Sequence, residues 1–338
     1  MALPTTLATA ALSNYQKGKM ADAITSNIPL LKYFMYKNSI VLKGGQYIEL
    51  ATRYNKRPAT SVDRVGLEAK PFVVRENLAY SKWDWKSTNE TCSIPYYLLD
   101  QAQGDFAKQD VMKAEIQSTV DSIVESLALQ LAGDGTGNGG KDLMGIPGII
   151  STTAGLTVGE IDSSTYTWWD NYRNTSVGSF SSNGLRELSK AIRAVERGSV
   201  TDKVDLIVAG SDVYGYMEDK ANSSLFQTNN RLGELGFDAL NFKGRDVIHD
   251  PTITSTSIYG INTKHMALYI LDASPDTAKH NKAVPIEEKM KKMLRCTGFV
   301  DQEAINGQPV MTAVIGTGSI QVATDDRARH FVLSGITA

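Results

Sequence analysis

The chain has 338 residues, of which 42% are hydrophobic and 21% are charged. This length exceeds that of a typical single core, so we expect two or three lobes, and the composition is that of an ordinary globular protein. No uncharged apolar run approaches the roughly 18 residues that a membrane span requires, and a formal net charge of −2 argues against a free-standing nucleic-acid binder.

Charge is distributed unevenly along the chain. Residues 1–90 contain 13 Lys and Arg against 7 Asp and Glu, a balance of +6, whereas residues 91–338 contain 22 against 30, a balance of −8. A basic front half and an acidic body would attract each other between subunits, because complementary potentials favour encounter and register. The alternative interpretation is that the charged residues are simply solvated and that the difference in charge between the two parts of the chain has no role.

The first 90 residues predict an arm followed by a hairpin. Residues 1–40 contain one helix-like patch, Met20 to Tyr36, and otherwise indicate a weakly structured arm. Two alternating runs follow on either side of a polar, turn-rich segment, with Ile48, Leu50, Thr52 and Tyr54 in the first and Phe72, Val74, Leu78 and Tyr80 in the second. Trp83 and Trp85 fall on the opposite parity, which predicts a bulge or strand break near Ser81. Because a two-stranded ribbon is marginal in water, we expect the hairpin to lie on another surface.

The clearest helix in the sequence is predicted from Asp105 to Ala132. Its apolar residues recur at spacings of three and four, and they are Phe106, Ile116, Val120, Ile123, Leu127 and Leu131. At about 1.5 Å per residue the helix would be roughly 40 Å long. The glycines from Gly133 onward end it, because glycine adopts left-handed conformations readily and penalises helix continuation.

The segment after this helix, Gly133 to Ile150, imitates a phosphate-binding loop. Gly135, Gly140 and Lys141 have most of the spacing of a Walker A motif. Such a loop joins a strand to the N-terminus of a helix, whereas here a helix comes first and Asp142 replaces the Ser or Thr that would hold Mg²⁺. We therefore interpret the segment as a flexible joint at the end of the long helix.

The rest of the chain predicts a mixed α/β lobe and then a β-rich end. Helices alternate with short apolar runs, which indicates a sheet covered by helices. The predicted helices are Asn183–Arg197 and Val213–Ala221, and the predicted strands are Val204–Gly210, Asp246–Ile248 and His265–Leu271. From Ile286 the pattern is strand-rich again, with Asn306-Gly307 as a two-residue hairpin turn and later strands around Ile320 and Phe331.

No residue pattern predicts a catalytic, cofactor-binding or metal-binding site. His249 and Asp250 with Asp246 include a single imidazole, and the strand ends at once, so a surface strand end explains them more simply than a metal cluster. Ser211-Asp212 lacks the flanking glycines of a nucleophile elbow, and one of these two residues is expected to cap the following helix.

Other chemically interesting residues also have structural interpretations. His265, His280 and His330 have no sequence-local acid or nucleophile that marks a triad. The patch Trp168–Asn174 would suit a sugar or base platform, but we favour its use in a core or an interface. Cys92 and Cys296 lack metal-ligand spacing, and we favour two reduced, packed thiols over the alternative of one disulfide.

The order of elements resembles that of tailed-bacteriophage major capsid proteins of the Hong Kong 97-type fold. The resemblance covers most of the chain and is carried by the arm, the hairpin with VLKGGQYIELATRYN, the long helix, GDGTGNGG with DLMGIPGII, TYTWWDNYRN, VDLIVAGSDVYGYMED and GFDALNFKGRDVIHDP. It implies an α+β fold that is divided as follows: an N-terminal arm (1–40), an extended β-hairpin loop (41–90), a peripheral β-rich domain in two parts (91–142, with a spine helix at 105–132, and 285–338) and an axial α/β domain (143–284).

The function that this resemblance implies is structural and not enzymatic. Such a chain self-assembles into hexamers and pentamers of an icosahedral head that encloses double-stranded DNA, and a ribbon that cannot stabilise itself suits a subunit that completes its burial on copies of itself. The implied partners are those copies, a separate scaffolding protein, a portal, a decoration protein and non-specifically held DNA, with no membrane. The implied location is the virion, after assembly in the host bacterial cytoplasm.

Three other functions remain open from the sequence. Two are enzymatic, a nucleotide hydrolase that uses Lys141 and a hydrolase that uses Ser211. The third is another virion component, such as a tail-tube protein. Some capsid proteins of this family crosslink Lys to Asn between subunits, but no motif around Lys43, Lys56 or Lys70 supports such a bond here.

Overall fold

The structure is a computed structural model of the chain. It describes residues 29–54, 77–101, 105–196, 202–221, 226–228, 239–272, 294–297 and 299–338. Most of the predicted arm, His280, the strand residues Phe72 and Val74, and Lys56 and Lys70 lie outside the described residues. No described helix is long and apolar enough to cross a membrane.

The described elements are helices and mostly short strands. The helices are α1 (Pro29–Lys37), α2 (Tyr96–Gln101), α3 (Asp105–Leu131), α4 (Gly137–Gly140), α5 (Ile146–Ile149), α6 (Leu185–Val195), α7 (Ser211–Ala221) and α8 (Glu303–Asn306). The strands are β1 (Ser39–Leu42), β2 (Tyr47–Arg53), β3 (Leu78–Asp84), β4 (Asn89–Pro95), β5 (Thr157–Val158), β6 (Ile161–Asp162), β7 (Tyr172–Asn174), β8 (Gly178–Ser179), β9 (Leu206–Ala209), β10 (Phe226–Thr228), β11 (Ala239–Phe242), β12 (Arg245–His249), β13 (Ile258–Ile261), β14 (Met266–Leu271), β15 (Leu294–Cys296), β16 (Val300–Asp301), β17 (Val310–Thr317), β18 (Ile320–Thr324), β19 (Phe331–Leu333) and β20 (Ile336–Thr337).

A seven-stranded mixed sheet, in the order β10-β11-β12-β9-β13-β19-β7, is the centre of one lobe. Its central strand β9 is buried along its whole length, as expected for a strand that is covered on both faces. A hydrophobic core lies on each face of this sheet. Ile207 and Ala209 of β9 belong to the core under α6 and α7, whereas Leu206 and Val208 belong to the core on the opposite face. The helices and strands that the sequence predicts for this lobe are confirmed, with ends that shift by a few residues. The strand predicted at His265–Leu271 is β14, however, and it belongs to a separate sheet in the order β1-β14-β18. A π-helical turn, Phe180–Gly184, precedes α6.

Helix α1 lies in the core on the other face of this sheet. Leu30, Leu31 and Phe34 are buried almost completely, and the Tyr33 hydroxyl donates a hydrogen bond to Asp246 of β12 at 3.0 Å. The next strand, β1, pairs in parallel with β14. The predicted helix-like patch, Met20 to Tyr36, is confirmed for its described part, which belongs to α1. The prediction of weak structure is wrong for residues 37–40, because Lys37 still belongs to α1 and β1 begins at Ser39.

The long helix α3 covers one face of a second sheet. It has 27 residues, begins where the sequence predicts and ends one residue earlier, and it packs on β4 and β17. Strand β17 has β4 on one side and both β15 and β16 on the other. The helix buries one continuous stripe, formed by Met112, Ile116, Val120, Ile123, Leu127 and Leu131.

The two cysteines lie on different strands of this second sheet. Cys92 is opposite Ala313 and Cys296 is opposite Ile315, on the two sides of β17. Two strand spacings of about 4.8 Å separate them, which is beyond the Cα distance that a disulfide can bridge. Cys92 is buried and free, as the sequence predicts, and burial raises the pKa of its thiol.

Strands β2 and β3 form the predicted hairpin, and residues 55–76 of its tip lie outside the described residues. The strands pair one to one from Tyr47 opposite Asp84 to Arg53 opposite Leu78. The prediction of a bulge near Ser81 is therefore wrong. The apolar residues change from one parity to the other along β3 because Leu78 and Tyr80 face outward, whereas Trp83 faces the core.

A second predicted hairpin has a longer connection than expected. Strands β16 and β17 are antiparallel, but the helical turn α8 intervenes, so Asn306 lies in a helix and not at a tight turn. Gly307 follows with φ of 74°. A left-handed glycine after a short helix ends that helix, and this explains the Asn-Gly signal without a two-residue turn.

Candidate functional site

The glycine segment after α3 lacks the context of a phosphate-binding loop. The element that leads into it is a helix, which ends at Leu131, and the segment continues through the short turns α4 and α5. Lys141 is exposed at the end of α4. Since a phosphate-binding loop needs a strand before it and the N-terminus of a helix after it, the geometry agrees with the rejection of a Walker A site.

Close packing explains two glycines of this segment. A Cβ at Gly145 would overlap the carbonyl oxygens of Leu131 and Gln130 at the end of α3, and a Cβ at Gly148 would lie 2.5 Å from the carbonyl oxygen of Asp134. The chain thus folds back tightly on the helix end. The flexible-joint interpretation is not needed to explain these two glycines.

Gln130 fastens the helix end to its surroundings. Its Oε1 accepts hydrogen bonds from the backbone N–H of Leu143 and from the hydroxyl of Thr88, each at 3.1 Å. The Lys86 ammonium donates to the carbonyl of Gly140 at 2.7 Å. These contacts hold the glycine segment against the chain between the hairpin and β4.

A cleft of about 470 Å³ opens beside this segment, at the C-terminal end of α3. Its lining includes Glu125, Asp134 and Asp142, with the apolar side chain of Leu129 at the rim. Hydrogen bonds from the backbone and hydroxyl of Thr136 lower the pKa of Asp134, which favours its charged form. Carboxylates and a helix C-terminus are all negative, so this cleft repels a polyphosphate.

The residues of the candidate metal cluster face different partners. Asp246 accepts from Tyr33, and buried Asp250 accepts from the backbone and hydroxyl of Thr252 at 2.9 and 2.6 Å. The ring of His249 lies 5.4 Å from that of Tyr214. Among the described residues no group of three potential ligands surrounds a common point. Ser211 is exposed at the start of α7, with Asp212 in the first turn.

His330 is arranged as a structural histidine and not as a general base. The backbone N–H of Asn262 donates to Nδ1 at 3.2 Å, so the proton lies on Nε2, which is 3.0 Å from the Thr324 hydroxyl. Thr324 in turn donates to the carbonyl of His265 at 2.8 Å. A general base must accept the hydroxyl proton, and complete burial lowers the pKa of His330 to about 3.

His265 joins the turn after β18 to the start of β9. Its Nδ1 lies 2.8 Å from Asp325 and its Nε2 lies 3.5 Å from Asp202. Burial acts to lower the pKa of His265, but the hydrogen bond to Asp325 and the charges of Asp325, Asp326 and Asp202 outweigh it, so the pKa is raised. No nucleophile is placed against this ring in the described part of the chain, and the cluster is an ion-pair junction.

The aromatic patch anchors the hairpin. Trp169 is fully buried and its indole N–H donates to the carbonyl of Val158 at 2.9 Å. Trp168 stacks on Tyr54 at the end of β2, with ring centroids 4.8 Å apart and planes at 15°. The interpretation as core and contact residues fits this geometry better than a sugar platform, because Trp168 is half-buried and Tyr54 covers one face of its indole.

The inner face of the hairpin is fastened to its own subunit. Ile48 and Trp83 belong to the main core, the Ser81 hydroxyl lies 3.3 Å from the carbonyl of Thr324, and the Thr52 hydroxyl donates to the carbonyl of Asp325. The backbone N–H of Lys82 donates to the carbonyl of Gly159 at 3.0 Å. We expected the hairpin to lie on another surface. For its described residues, that surface belongs to the same subunit.

The outer face of the hairpin exposes three large apolar side chains. Tyr47, Leu78 and Tyr80 have exposed fractions of 42%, 54% and 58%. They share the outward face with Ala51 and four charged residues, Glu49, Arg53, Lys82 and Asp84, whose charges sum to zero. A large apolar set on a narrow ribbon, without net charge, is typical of a surface that another molecule covers. This outer face is the candidate functional site.

The sequence matches no protein-family model and no curated protein, whereas the structure is similar to solved structures. The capsid asymmetric unit of cyanophage A-1(L) is 15% identical, with a TM-score of 0.65 over 92% of this chain and 93% of that one. The capsid of the native GTA particle is 10% identical, with a TM-score of 0.54 over 90% of each chain. The holo-SrpI encapsulin complex from Synechococcus elongatus PCC 7942 is 9% identical, with a TM-score of 0.52 over 91% of this chain and 86% of that one.

The chain has the Hong Kong 97-type capsid fold. In this capsid fold the turn Arg327–Arg329 connects several elements, and sequence reasoning did not single it out. Arg327 is fully buried, its Nε donates to the carbonyl of Ile149 at 2.5 Å, and its Nη1 lies 3.4 Å from Ser163 Oγ and 3.7 Å from Asp170. Burial lowers its pKa to about 10. Its partners are more than 150 positions away, so no local pattern marks it.

Proposed function

We propose that the chain is a major capsid protein, which self-assembles into hexamers and pentamers of an icosahedral bacteriophage head. The observation that carries the proposal is the capsid fold itself, shared over 92% of the chain with a cyanophage capsid subunit. Fold alone does not determine function, so the surface provides further support. The outer face of the hairpin, with its three exposed large apolar side chains, is the kind of surface that a second copy would bury.

The proposed domains follow most of the elements. The peripheral domain comprises residues 91–142 and 285–338, which contain α3 and most of the second sheet, whose strand β4 begins at Asn89. The axial domain comprises residues 143–284, which contain α6, α7 and six strands of the seven-stranded sheet, whereas its strand β19 comes from the C-terminal part. The extended loop is the hairpin, residues 41–90, after an arm of residues 1–40 from which α1 enters the core.

The partners of this subunit would be chiefly its own copies. A scaffolding protein, a portal and a decoration protein are further proposed partners, and the subunit would hold double-stranded DNA without sequence preference. It would assemble in the host cytoplasm and reside in the virion. A formal charge of −2 supports weak contact with DNA, because a wall that binds phosphate tightly needs many cations.

The test of the proposal is assembly of the full chain. We expect closed shells or hexamers by sedimentation velocity and negative-stain microscopy. A compact monomer that hydrolyses ATP, with activity lost in Lys141→Ala, would contradict the proposal and favour the hydrolase alternative. A monomer with esterase activity that Ser211→Ala abolishes would do the same, whereas open tubes would favour a tail-tube protein.

One observation favours a second candidate. The structure is also similar to that of an encapsulin complex, so this fold occurs in a protein that is not described as a phage capsid. Particles purified from the producing host distinguish the two. DNA that is protected from DNase inside the particles supports the phage head, whereas particles without protected DNA favour an encapsulin-like shell.

A further inference from the structure

Helix α6 presents a basic stripe to solvent. Arg186, Lys190 and Arg193 lie at positions i, i+4 and i+7, so they share one face of the helix, and all three are exposed. Glu187 lies 3.3 Å from Lys190 and 3.9 Å from Arg186. One carboxylate against three cations leaves a formal charge of about +2 on the stripe, and Lys243, which donates to Ser189 at 2.9 Å, extends it.

Helix α7 presents an acidic face. Asp212, Glu218 and Asp219 are exposed, and Asp212 and Asp219 lie two helical turns apart on one side. Both helices cover the same face of the seven-stranded sheet. They lie toward opposite edges, since α6 packs on β7 and β19 whereas α7 packs on β10. Among the described residues no ion pair joins α6 to α7.

Gly215 lies between these carboxylates in the interior of α7. A Cβ added at this position would meet no atom within 4 Å. Glycine in a helix interior destabilises the helix relative to alanine, and a close neighbour normally explains it. No such neighbour exists in the described part of this subunit. A close approach by another molecule would explain the glycine.

From these observations we infer that the basic stripe of α6 docks on the acidic face of α7 of the next copy, around Gly215. The two surfaces are different and lie toward opposite edges of the lobe, so the contact is head-to-tail, and such contacts can close into rings. The inference rests on the proposed capsid function and assigns the contact that joins neighbours within a hexamer or pentamer.

Double-stranded DNA is the other polyanion that would fit the stripe, and the geometry disfavours it. The carboxylates of α7 lie on the same face of the lobe as the stripe. The lobe also belongs to residues 91–338, whose charge balance is −8, so a duplex against α6 would face a body that repels phosphate. A second copy meets each helix with the opposite charge.

The decisive experiment is a charge swap in the full chain. One variant carries Arg186→Glu, Lys190→Glu and Arg193→Glu, and the other carries Asp212→Asn, Glu218→Lys and Asp219→Lys. Asn is chosen at 212 because a cation in the first helical turn would oppose the helix dipole. We expect each variant to remain folded by circular dichroism and to lose particles in sedimentation velocity. The combined variant restores complementarity and is expected to recover most of the particles.

Substitutions at Gly215 provide an independent test. Gly215→Ala is expected to raise the melting temperature of the unassembled subunit, because alanine favours the helix and has room. It should nevertheless reduce the yield of particles, and Gly215→Leu should abolish them. Normal particles from Gly215→Leu would overturn the inference.

The failure of this inference is distinguishable from failure of the proposed function. A wild-type chain that never assembles contradicts the proposed function. If the wild-type chain assembles and the combined variant folds but does not regain particles, the inference is wrong and the proposed function stands. A short fluorescent DNA duplex at low salt tests the remaining outcome: if the α6 variant forms normal particles and loses duplex binding, the stripe belongs to DNA and the inference is wrong.

Discussion

Two histidines beside the turn after β18 respond to acid in opposite directions. His330 has a native pKa lowered to about 3 by burial, so the folded state resists protonation while the unfolded state accepts a proton near pH 6.5. The pKa of His265 is raised in the folded state, so the folded state binds a proton more readily than the unfolded chain does. Linkage makes the first group destabilising in acid and the second stabilising.

We predict that removal of His265 steepens acid destabilisation. Between pH 7 and pH 5 the protonation of His330 in the unfolded state alone costs about 2 kcal/mol of folding free energy. His265 offsets part of this cost, since its stabilisation is present below its unfolded pKa and is lost as pH rises through its folded pKa. In His265→Asn that offset is absent. Urea unfolding at pH 7, 6 and 5 measures both slopes, and a shallower slope in the variant would show that the direction for His265 is wrong.

The buried Arg327 is expected to stabilise the fold through its polar contacts. Arg327→Met removes the donor to the buried carbonyl of Ile149 and the cation near Asp170. Each buried polar group left without a partner costs about 1–3 kcal/mol, so we expect a loss of at least about 2 kcal/mol of unfolding free energy. Arg186→Met is the matched control, because 78% of that arginine side chain is exposed. Equal stability of both variants in urea unfolding would show that the buried arginine contributes no net stability.

At the scale of elements, two glycines of one segment are needed for different reasons. Gly145 has φ of −85°, which any residue adopts, but its missing Cβ makes room for the end of α3. Gly139 has φ of +66° and open space around it. The same substitution therefore tests packing at one position and backbone conformation at the other.

We predict that Gly145→Ala is the more damaging change. A Cβ there meets backbone oxygens that cannot move without displacing α3, so we expect a cost of about 3 kcal/mol or more, which is in the range of overpacked cores. Gly139→Ala is expected to cost about 1 kcal/mol, the penalty of a left-handed residue. Thermal unfolding of both variants checks the order, and a larger effect at Gly139 would contradict the packing explanation.

Elements with a single dominant periodicity could be predicted from the sequence. Elements whose facing depends on contacts with distant residues could not. The stripe of α3 follows helical spacing over 27 residues, so both ends were predicted within one residue. Strand β3 was misread because Leu78 and Tyr80 are apolar and yet point away from the core. Prediction from hydrophobicity assumes that apolar residues are buried. This assumption does not hold for Leu78 and Tyr80, which are exposed residues of the candidate site.

At the scale of the whole molecule, the fold class was within reach of the sequence and the connections were not. The order of hairpin, long helix, α/β lobe and β-rich end is local information. The junction around Arg327, His330 and Asp325 joins the hairpin, α5 and the seven-stranded sheet, and it depends on residues that approach only after folding. The outer face of the hairpin was likewise invisible, because exposure is a property of the packed chain.

We expect the outer face of the hairpin to be needed for assembly. Leu78→Lys with Tyr80→Lys places two cations on an outward face, so we expect the unassembled subunit to keep its melting temperature. If a neighbour buries these side chains, the change removes roughly 3 kcal/mol or more per contact, and the concentration needed for assembly rises at least about a hundredfold. Sedimentation velocity over a concentration series measures this shift.

Two control variants accompany this change. Lys113→Ala, on the exposed side of α3, removes an exposed ion pair to Asp110, which contributes little, so particles should form normally. Trp83→Ala, on the inner face of the hairpin, should lower the unfolding free energy by about 3–5 kcal/mol, because that indole belongs to the core. If the Leu78→Lys and Tyr80→Lys variant assembled at the wild-type concentration, the outer face would not be an assembly surface, and subunit contact would have to be sought elsewhere, first at α6 and α7.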